Sequence, residues 1–354
     1  MRVLIDILTP KQVMLFQKLR KELVKRGHKI LLLSRRYREV NQLLIMKKMD
    51  TVEVGRHGGH VLSEKLLAST ERIHDLIPVV ERFNPDVCVS FSSPELSRVS
   101  FGLGIPHICI SDSPHATAVS KLCIPFSEKL MSPKMIPKDR WTGYGITQER
   151  IIQYNALDPW AWLKDFKPDY AVLEKIGLNK KTPIVTIRSA EIFASYLLGD
   201  FPKKTSTIEL AGNLIKVNDE VQVVLIPRYA EQIEEFQESL KGNIIILDAL
   251  VDGPSLLYYS DVFVGAGGTM SAEAALLGTP TISCFPGESY IIEQYLIEKG
   301  LIERETNFET LVKKVHETLE NSDAIRKENE EKVKKIVSDY DDPIKIISDE
   351  IEKT

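Results

Sequence analysis

Val262-Phe263-Val264-Gly265-Ala266-Gly267-Gly268-Thr269-Met270-Ser271-Ala272-Glu273-Ala274-Ala275-Leu276-Leu277-Gly278-Thr279-Pro280 decides the reading of the fold. Three apolar residues lead into a glycine-rich turn. A run of good helix formers follows and is closed by Gly278 and Pro280. A strand that ends in glycines opening a helix leaves free backbone N–H groups and the positive helix end unobstructed, which suits a diphosphate. Gly267, Gly268 and Thr269 are candidate contacts for it. Glu273 lies about one turn into the helix, where its carboxylate can accept hydrogen bonds from a ribose diol. The alternative is a tight turn in which Glu273 only complements the helix dipole.

The same alternation of strand and helix extends both ways. Upstream, strands are expected at 184–187, 221–226 and 244–247, with helices at 205–217, 230–240 and 253–259; downstream, a strand is expected at 281–284. The first half repeats the pattern, with strands at 3–7, 29–34, 86–91 and 106–111. Its first helix, about 11–26, places Val13, Phe16, Leu19 and Leu23 on one face and stops at Gly27. Between the halves, Leu157-Asp158-Pro159-Trp160-Ala161-Trp162 breaks the rhythm and reads as a linker, in which Trp160 and Trp162 can clamp a hinge. The fold class expected is α/β, two doubly wound Rossmann-like domains facing across a cleft. The boundaries expected are 1–160, a linker over 161–182, and 183–342. The tail from 308 is helical, with a break at Asp341-Asp342-Pro343.

Composition narrows the function classes. The chain has 354 residues, 43 % hydrophobic and 27 % charged, the balance of a globular protein. A net charge of −4 supplies no general attraction to nucleic acid or an anionic membrane, so no nucleic acid is expected as a partner. Asp6 interrupts the opening apolar run, no stretch reads as a membrane span, and a cytoplasmic location is expected, with peripheral membrane association left open. Cys88, Cys109, Cys123 and Cys284 are scattered without metal-ligand spacing and read as plain thiols. No Asp-x-Asp pair stands at a strand end, so neither a metal nor a separate cofactor is expected.

The segment around Gly267 and Glu273, with Cys284-Phe285-Pro286-Gly287-Glu288 and Glu293-Gln294-Tyr295 after it, resembles the nucleotide-sugar motif of two-Rossmann B-fold glycosyltransferases. It is also similar to the UDP-N-acetylglucosamine 2-epimerases. The whole chain resembles a largely archaeal family of unknown function on that fold, through Asp6 to Pro10, the His57-Gly58-Gly59 loop, and Ser111-Asp112-Ser113-Pro114-His115. The resemblance implies a UDP-sugar donor, with Gly267 and Gly268 at the diphosphate and Glu273 at the ribose. It also implies a final helix, 343–354, that crosses back onto the first domain.

Against the epimerases, the five-residue step from Gly268 to Glu273 is one longer than theirs, and Val224-Leu225-Ile226-Pro227 is followed by Arg228 where they carry a His. Glycosyl transfer to an unknown acceptor is therefore the leading expectation. An epimerase or hydrolase on the same donor, with Glu288, Asp112 and His115 as its acid and base groups, is the alternative. A sugar-nucleotide binder without catalysis is the third.

Arg188 and Arg228 each follow a strand and can hold a diphosphate bidentately; an ion pair such as Arg188 with Glu191 is the other reading. A base for the acceptor hydroxyl is sought in the first half. Asp112 can orient His115 from the same loop, or it can cap the next helix. His57 and His60 flank a glycine pair and can serve as base or gate, or form an ordinary loop. Asp6 and Lys11 close the first strand. The basic run Arg35-Arg36-Tyr37-Arg38 can meet an anionic acceptor or be a solvated helix start. His28, His74, His107 and His316 require no special role.

Overall fold

The computed structural model describes residues 1–59, 61–189, 205–218, 220–227, 230–240 and 243–354. They divide into two compact units, Met1–Trp162 with Tyr340–Thr354, and Leu163–Asp339.

In the first unit the described residues form one sheet of β1 (Arg2–Ile7), β2 (Lys29–Arg36), β3 (Val52–Arg56), β4 (Val87–Ser90), β5 (His107–Ile110), β6 (Lys129–Pro133) and β7 (Ile151–Tyr154). The order is β3-β2-β1-β4-β5-β6-β7, and every pairing is parallel. Both faces are covered by helices, which is why central strands such as Val3 to Ile5 and Val87 to Val89 are apolar without alternation. Pro10 opens the helix Pro10–Lys25, where its missing N–H costs nothing. Val13, Phe16, Leu19 and Leu23 of that helix are fully buried.

The last helix, Pro343–Glu352, is capped by Asp342 and buries Ile344, Ile347 and Ile351. It packs on the first helix. At about 1.5–3 kcal/mol for each fully buried aliphatic chain, those three isoleucines anchor the tail by several kcal/mol, an upper bound. Arg26 adds ion pairs to Asp349 at 2.7 Å and Glu352 at 2.9 Å. The crossing back onto the first domain is thus present.

In the second unit the described strands are β8 (Ile184–Arg188), β9 (Gln222–Ile226), β10 (Ile244–Ile246), β11 (Val262–Gly265), β12 (Thr281–Ser283) and β13 (Glu303–Arg304). They are again parallel, in the order β10-β9-β8-β11-β12-β13. The core joins Val185, Val223 and Val264 of the sheet to Leu210 and Leu214 of the helix Thr205–Val217 and to Leu311 and Val315 of Phe308–Glu320.

The stretch that breaks the rhythm is packed rather than extended. Tyr154, Ala156, Leu157, Ala161 and Trp162 are buried in the first unit, where Trp160 meets Tyr340 edge-on at 6.1 Å. Val172, Leu173 and Leu178 belong to the core of the second. Each sheet reverses its order once, between β1 and β4 and between β8 and β11, and ligands of open parallel sheets bind outside the carboxyl ends of the strands at such points.

Candidate functional site

At the reversal point of the second unit, β11 ends at Gly265, and the helix Thr269–Leu276 begins four residues later. Gly267 and Gly268 have φ of +75° and +86°, which side-chain-bearing residues resist. No side chain caps the helix start, so its first N–H groups stay available for a ligand. Glu273 is buried, 6 % exposed, one turn into the helix. Val264 pairs with Ile187, so the next residue of β8, Arg188, stands beside Gly265 at the same sheet edge. Its Nη1 donates to the Pro227 carbonyl at 2.7 Å. Arg228, Glu191 and His60 lie outside the described residues.

Glu293, in the first turn of the helix Ile291–Glu298, approaches this turn from the other side. Its Oε1 is 3.3 Å from where a Cβ at Gly267 would stand, and it accepts a hydrogen bond from Ser283 Oγ. Glu288 is exposed, on a groove of about 680 Å³ that it shares with Pro286, Gln294, Ile297 and Arg304.

At the carboxyl edge of the first sheet, Lys11 forms ion pairs with Asp112 and with Asp158, the latter at 2.6 Å, and its Nζ lies 4.3 Å from the centre of the Phe91 ring. Burial works against the charge on Lys11, but the two carboxylates prevail and hold its pKa above the usual value. Burial also opposes ionisation of Asp112, yet Lys11 keeps that carboxyl below its usual range. Asp158 goes the other way: burial, with the charge of Asp112 added, pushes it up. The Tyr154 hydroxyl donates to Asp158 Oδ1.

Asp112 and His115 share the loop after β5, where each acts on the other through its charge. Asp112 accepts from Lys11 Nζ at Oδ2 and from Ser113 Oγ at Oδ1, the latter at 2.8 Å. His115 is half-buried, and burial lowers its pKa, with Asp112 opposing through space. The ring is therefore neutral near pH 7.

A second buried network crosses the reversal point between β1 and β4. Arg72 forks onto Asp6 at 2.6 and 2.9 Å, donates through Nε to the Val54 carbonyl, and lies 3.6 Å from Glu95. Ser93 Oγ donates to Asp6 Oδ2 at 2.7 Å. The chain continues to His107, held between Ser90 at 2.9 Å and Ser127 at 2.8 Å. Burial takes the His107 pKa down to about 3, so it is a neutral structural histidine. Asp6, bound into this network, frames the site rather than lining it.

His57 stacks on Tyr37 with ring centres 4.6 Å apart, and its Nδ1 accepts the Gly59 N–H at 3.1 Å. Burial, then Arg35 and Lys65, lower its pKa to about 4. Burial keeps the thiols protonated, raising Cys88 to about 12 and Cys109 and Cys284 to about 11, and putting Cys123 well above its usual value.

Asp158 and Arg72 are partners that the sequence reading missed. Asp158 sits among apolar residues in the segment taken for a linker. Arg72 falls on the buried stripe of its helix with Ala68, Leu76 and Val80, and a charge on such a stripe signals a buried partner. Among the described residues, no helix is long and apolar enough to cross a membrane, and no group of three or more His, Cys, Asp or Glu is placed to hold a metal ion.

Comparison with known proteins agrees with this architecture. The chain aligns over most of both lengths with an uncharacterised protein of Methanocaldococcus jannaschii, MJ0665, with 31 % identity over 322 residues, 90 % of this chain and 91 % of that one. The UDP-GlcNAc 2-epimerase of Neisseria meningitidis, solved bound to UDP-GlcNAc, superposes with a TM-score of 0.74 at 16 % identity, covering 100 % of each chain. The spinosyn rhamnosyltransferase SpnG superposes with a TM-score of 0.60 at 15 % identity, over 94 % of this chain and 96 % of that one. Both likenesses speak for a shared fold, that of the B-fold glycosyltransferases and the epimerases. The family model described as "Protein of unknown function (DUF354)" matches residues 1–354, and the chain belongs to that family.

Proposed function

We propose that the protein is a glycosyltransferase that takes a sugar from a nucleoside-diphosphate donor, UDP-linked, held by the second unit. The glycine turn carries this reading: an uncapped helix start behind two left-handed glycines, with Arg188 on the neighbouring strand and Glu273 buried one turn in. The N–H groups of Gly267, Gly268 and Thr269 receive the diphosphate oxygens, Arg188 offsets their charge, and Glu273 accepts from the ribose hydroxyls.

The acceptor hydroxyl oxygen attacks the anomeric carbon while the bond from that carbon to the diphosphate breaks. The electron pair leaves on the diphosphate, where the helix end and Arg188 stabilise it. The hydroxyl proton goes to Asp112, which Lys11 keeps ionised. His115, neutral in the same loop, is the second proton acceptor within that half-site. Lys11 and Asp158 are positioning residues.

Epimerisation at C2 of the same donor is the second reading, supported by the fold shared with the UDP-GlcNAc 2-epimerases, and Glu288, Asp112 and His115 would be its acid and base groups. Incubation with UDP-GlcNAc alone in deuterated water separates the two. A donor that stays intact without an acceptor supports transfer; deuterium at C2 replaces transfer with epimerisation.

A further inference from the structure

We propose that the carboxyl ends of β2 and β3 in the first unit form a subsite for a phosphate group, built from Arg35, His57 and Lys65. The assignment of that phosphate to the acceptor rests on the transferase reading above.

Arg35 is the first observation. It is half-buried near the end of β2, and its Nε is cut off from solvent without a hydrogen-bond partner. Neighbouring arginines are already engaged: Arg36 with Glu53 at 3.2 Å, Arg56 with Glu64 at 3.3 Å and Glu71 at 3.7 Å, and Arg72 with Asp6 and Glu95. Glu95 and Asp6 act on Arg35 only through space, and Arg72 opposes them. Burial outweighs the carboxylates, and its pKa is lowered. A guanidinium in that position is destabilised until something anionic reaches it.

The His-Gly-Gly loop supplies the rest. A Cβ at Gly58 would stand 2.5 Å from Lys65 Cα and 2.8 Å from the Glu64 carbonyl, so only glycine lets the loop lie against the start of the helix Leu62–Phe83. That close approach brings Lys65 near His57, whose pKa it lowers alongside Arg35. With Nδ1 accepting from Gly59, the neutral ring of His57 carries its proton on Nε2 and presents a donor. Tyr37 holds the ring by stacking. Guanidinium, imidazole N–H and ammonium are all donors without acceptors of their own, and their shared complement is a group with several charged oxygens. A phosphate matches three donors better than a single carboxylate does.

The test follows the His57 ring by NMR in the full chain, identified by its loss in His57→Gln. Inorganic phosphate, glycerol 1-phosphate and, separately, UDP are added to the wild type, Arg35→Met, Arg35→Lys and Glu273→Ala. Either phosphate should raise the His57 pKa well above 4 in the wild type and in Glu273→Ala, more weakly in Arg35→Lys, and not in Arg35→Met. Arg35→Met should melt no lower than the wild type, because it removes a half-buried charge whose Nε has no hydrogen-bond partner.

A His57 ring that ignores phosphate, or responds equally in Arg35→Met, overturns the proposal, as does a clearly lower melting temperature for Arg35→Met. A response to UDP alone, lost in Glu273→Ala, assigns the patch to the nucleotide and also overturns it. Failure of UDP to bind anywhere defeats the transferase reading but leaves the phosphate response at His57 to stand or fall by itself.

Discussion

Arg72 reaches Asp6 across Gly55. A Cβ at residue 55 would stand 2.9 Å from Arg72 Cγ, and the φ of +75° there favours glycine as well. Both ends of the resulting fork are buried, 1 % and 0 % exposed. An arginine in the middle of one helix thus neutralises a carboxylate near the carboxyl end of β1, beside the reversal point of the sheet.

That pair should be costly to break singly. Asp6→Ala or Arg72→Ala each leaves a buried charge without its partner and should cost about 3–5 kcal/mol in urea unfolding. The double change to apolar residues should cost clearly less than the sum. Single costs below about 1 kcal/mol would show that the fork contributes little.

Acid should destabilise the first unit through His107. Its folded pKa of about 3 lies below the unfolded value of 6.5, so the unfolded chain takes up the proton first as pH falls. Its share of the stability is fully present above about pH 6.5, declines toward pH 3, and amounts to at most about 5 kcal/mol. Between those limits, His107→Gln should reduce the dependence by about 1.4 kcal/mol per pH unit. An unchanged slope in chemical unfolding would assign the acid sensitivity elsewhere, His57 first.

The glycine turn should not tolerate a side chain. Gly268→Ala meets open space but must hold φ at +86°, a strain of about 1–3 kcal/mol. UDP affinity should fall at least about tenfold while the melting temperature drops only a few degrees. Unaltered affinity would mean that the diphosphate does not use this turn.

Asp112→Asn should lower kcat by about 10²–10⁴-fold and leave UDP affinity unchanged. Asp158→Asn should perturb the pH profile through Lys11 rather than abolish turnover, since Asp158 is 2 % exposed behind that lysine. Equal effects of the two substitutions would count against the separate roles given to them.

What could be read from the sequence follows physical lines. Buried parallel strands are continuous apolar runs, so β1, β2, β4, β5 and the strands around Gly265 were legible, as were helices ended by glycine. The edge strand β3 carries Glu53, Gly55 and Arg56 among two valines, and β13 is only two residues, so neither forms a run. Lys11 and Asp112 each stood out, but they are separated by 101 residues and only the sheet order brings them together. Asp158 was hidden for the opposite reason: Pro159 and two tryptophans made its surroundings look like a linker, although Leu157 and Ala161 are fully buried. Tertiary burial leaves no local signature at such a position.

The central claim is that the second unit binds a uridine diphosphate through Gly267, Gly268 and Glu273. Calorimetric titration of UDP, with ADP and GDP as controls, into the wild type and Glu273→Ala tests it most directly. UDP should bind the wild type, more tightly than ADP or GDP, and Glu273→Ala should abolish or greatly weaken binding. Absence of binding by any nucleoside diphosphate, or equal binding by the variant, would contradict it.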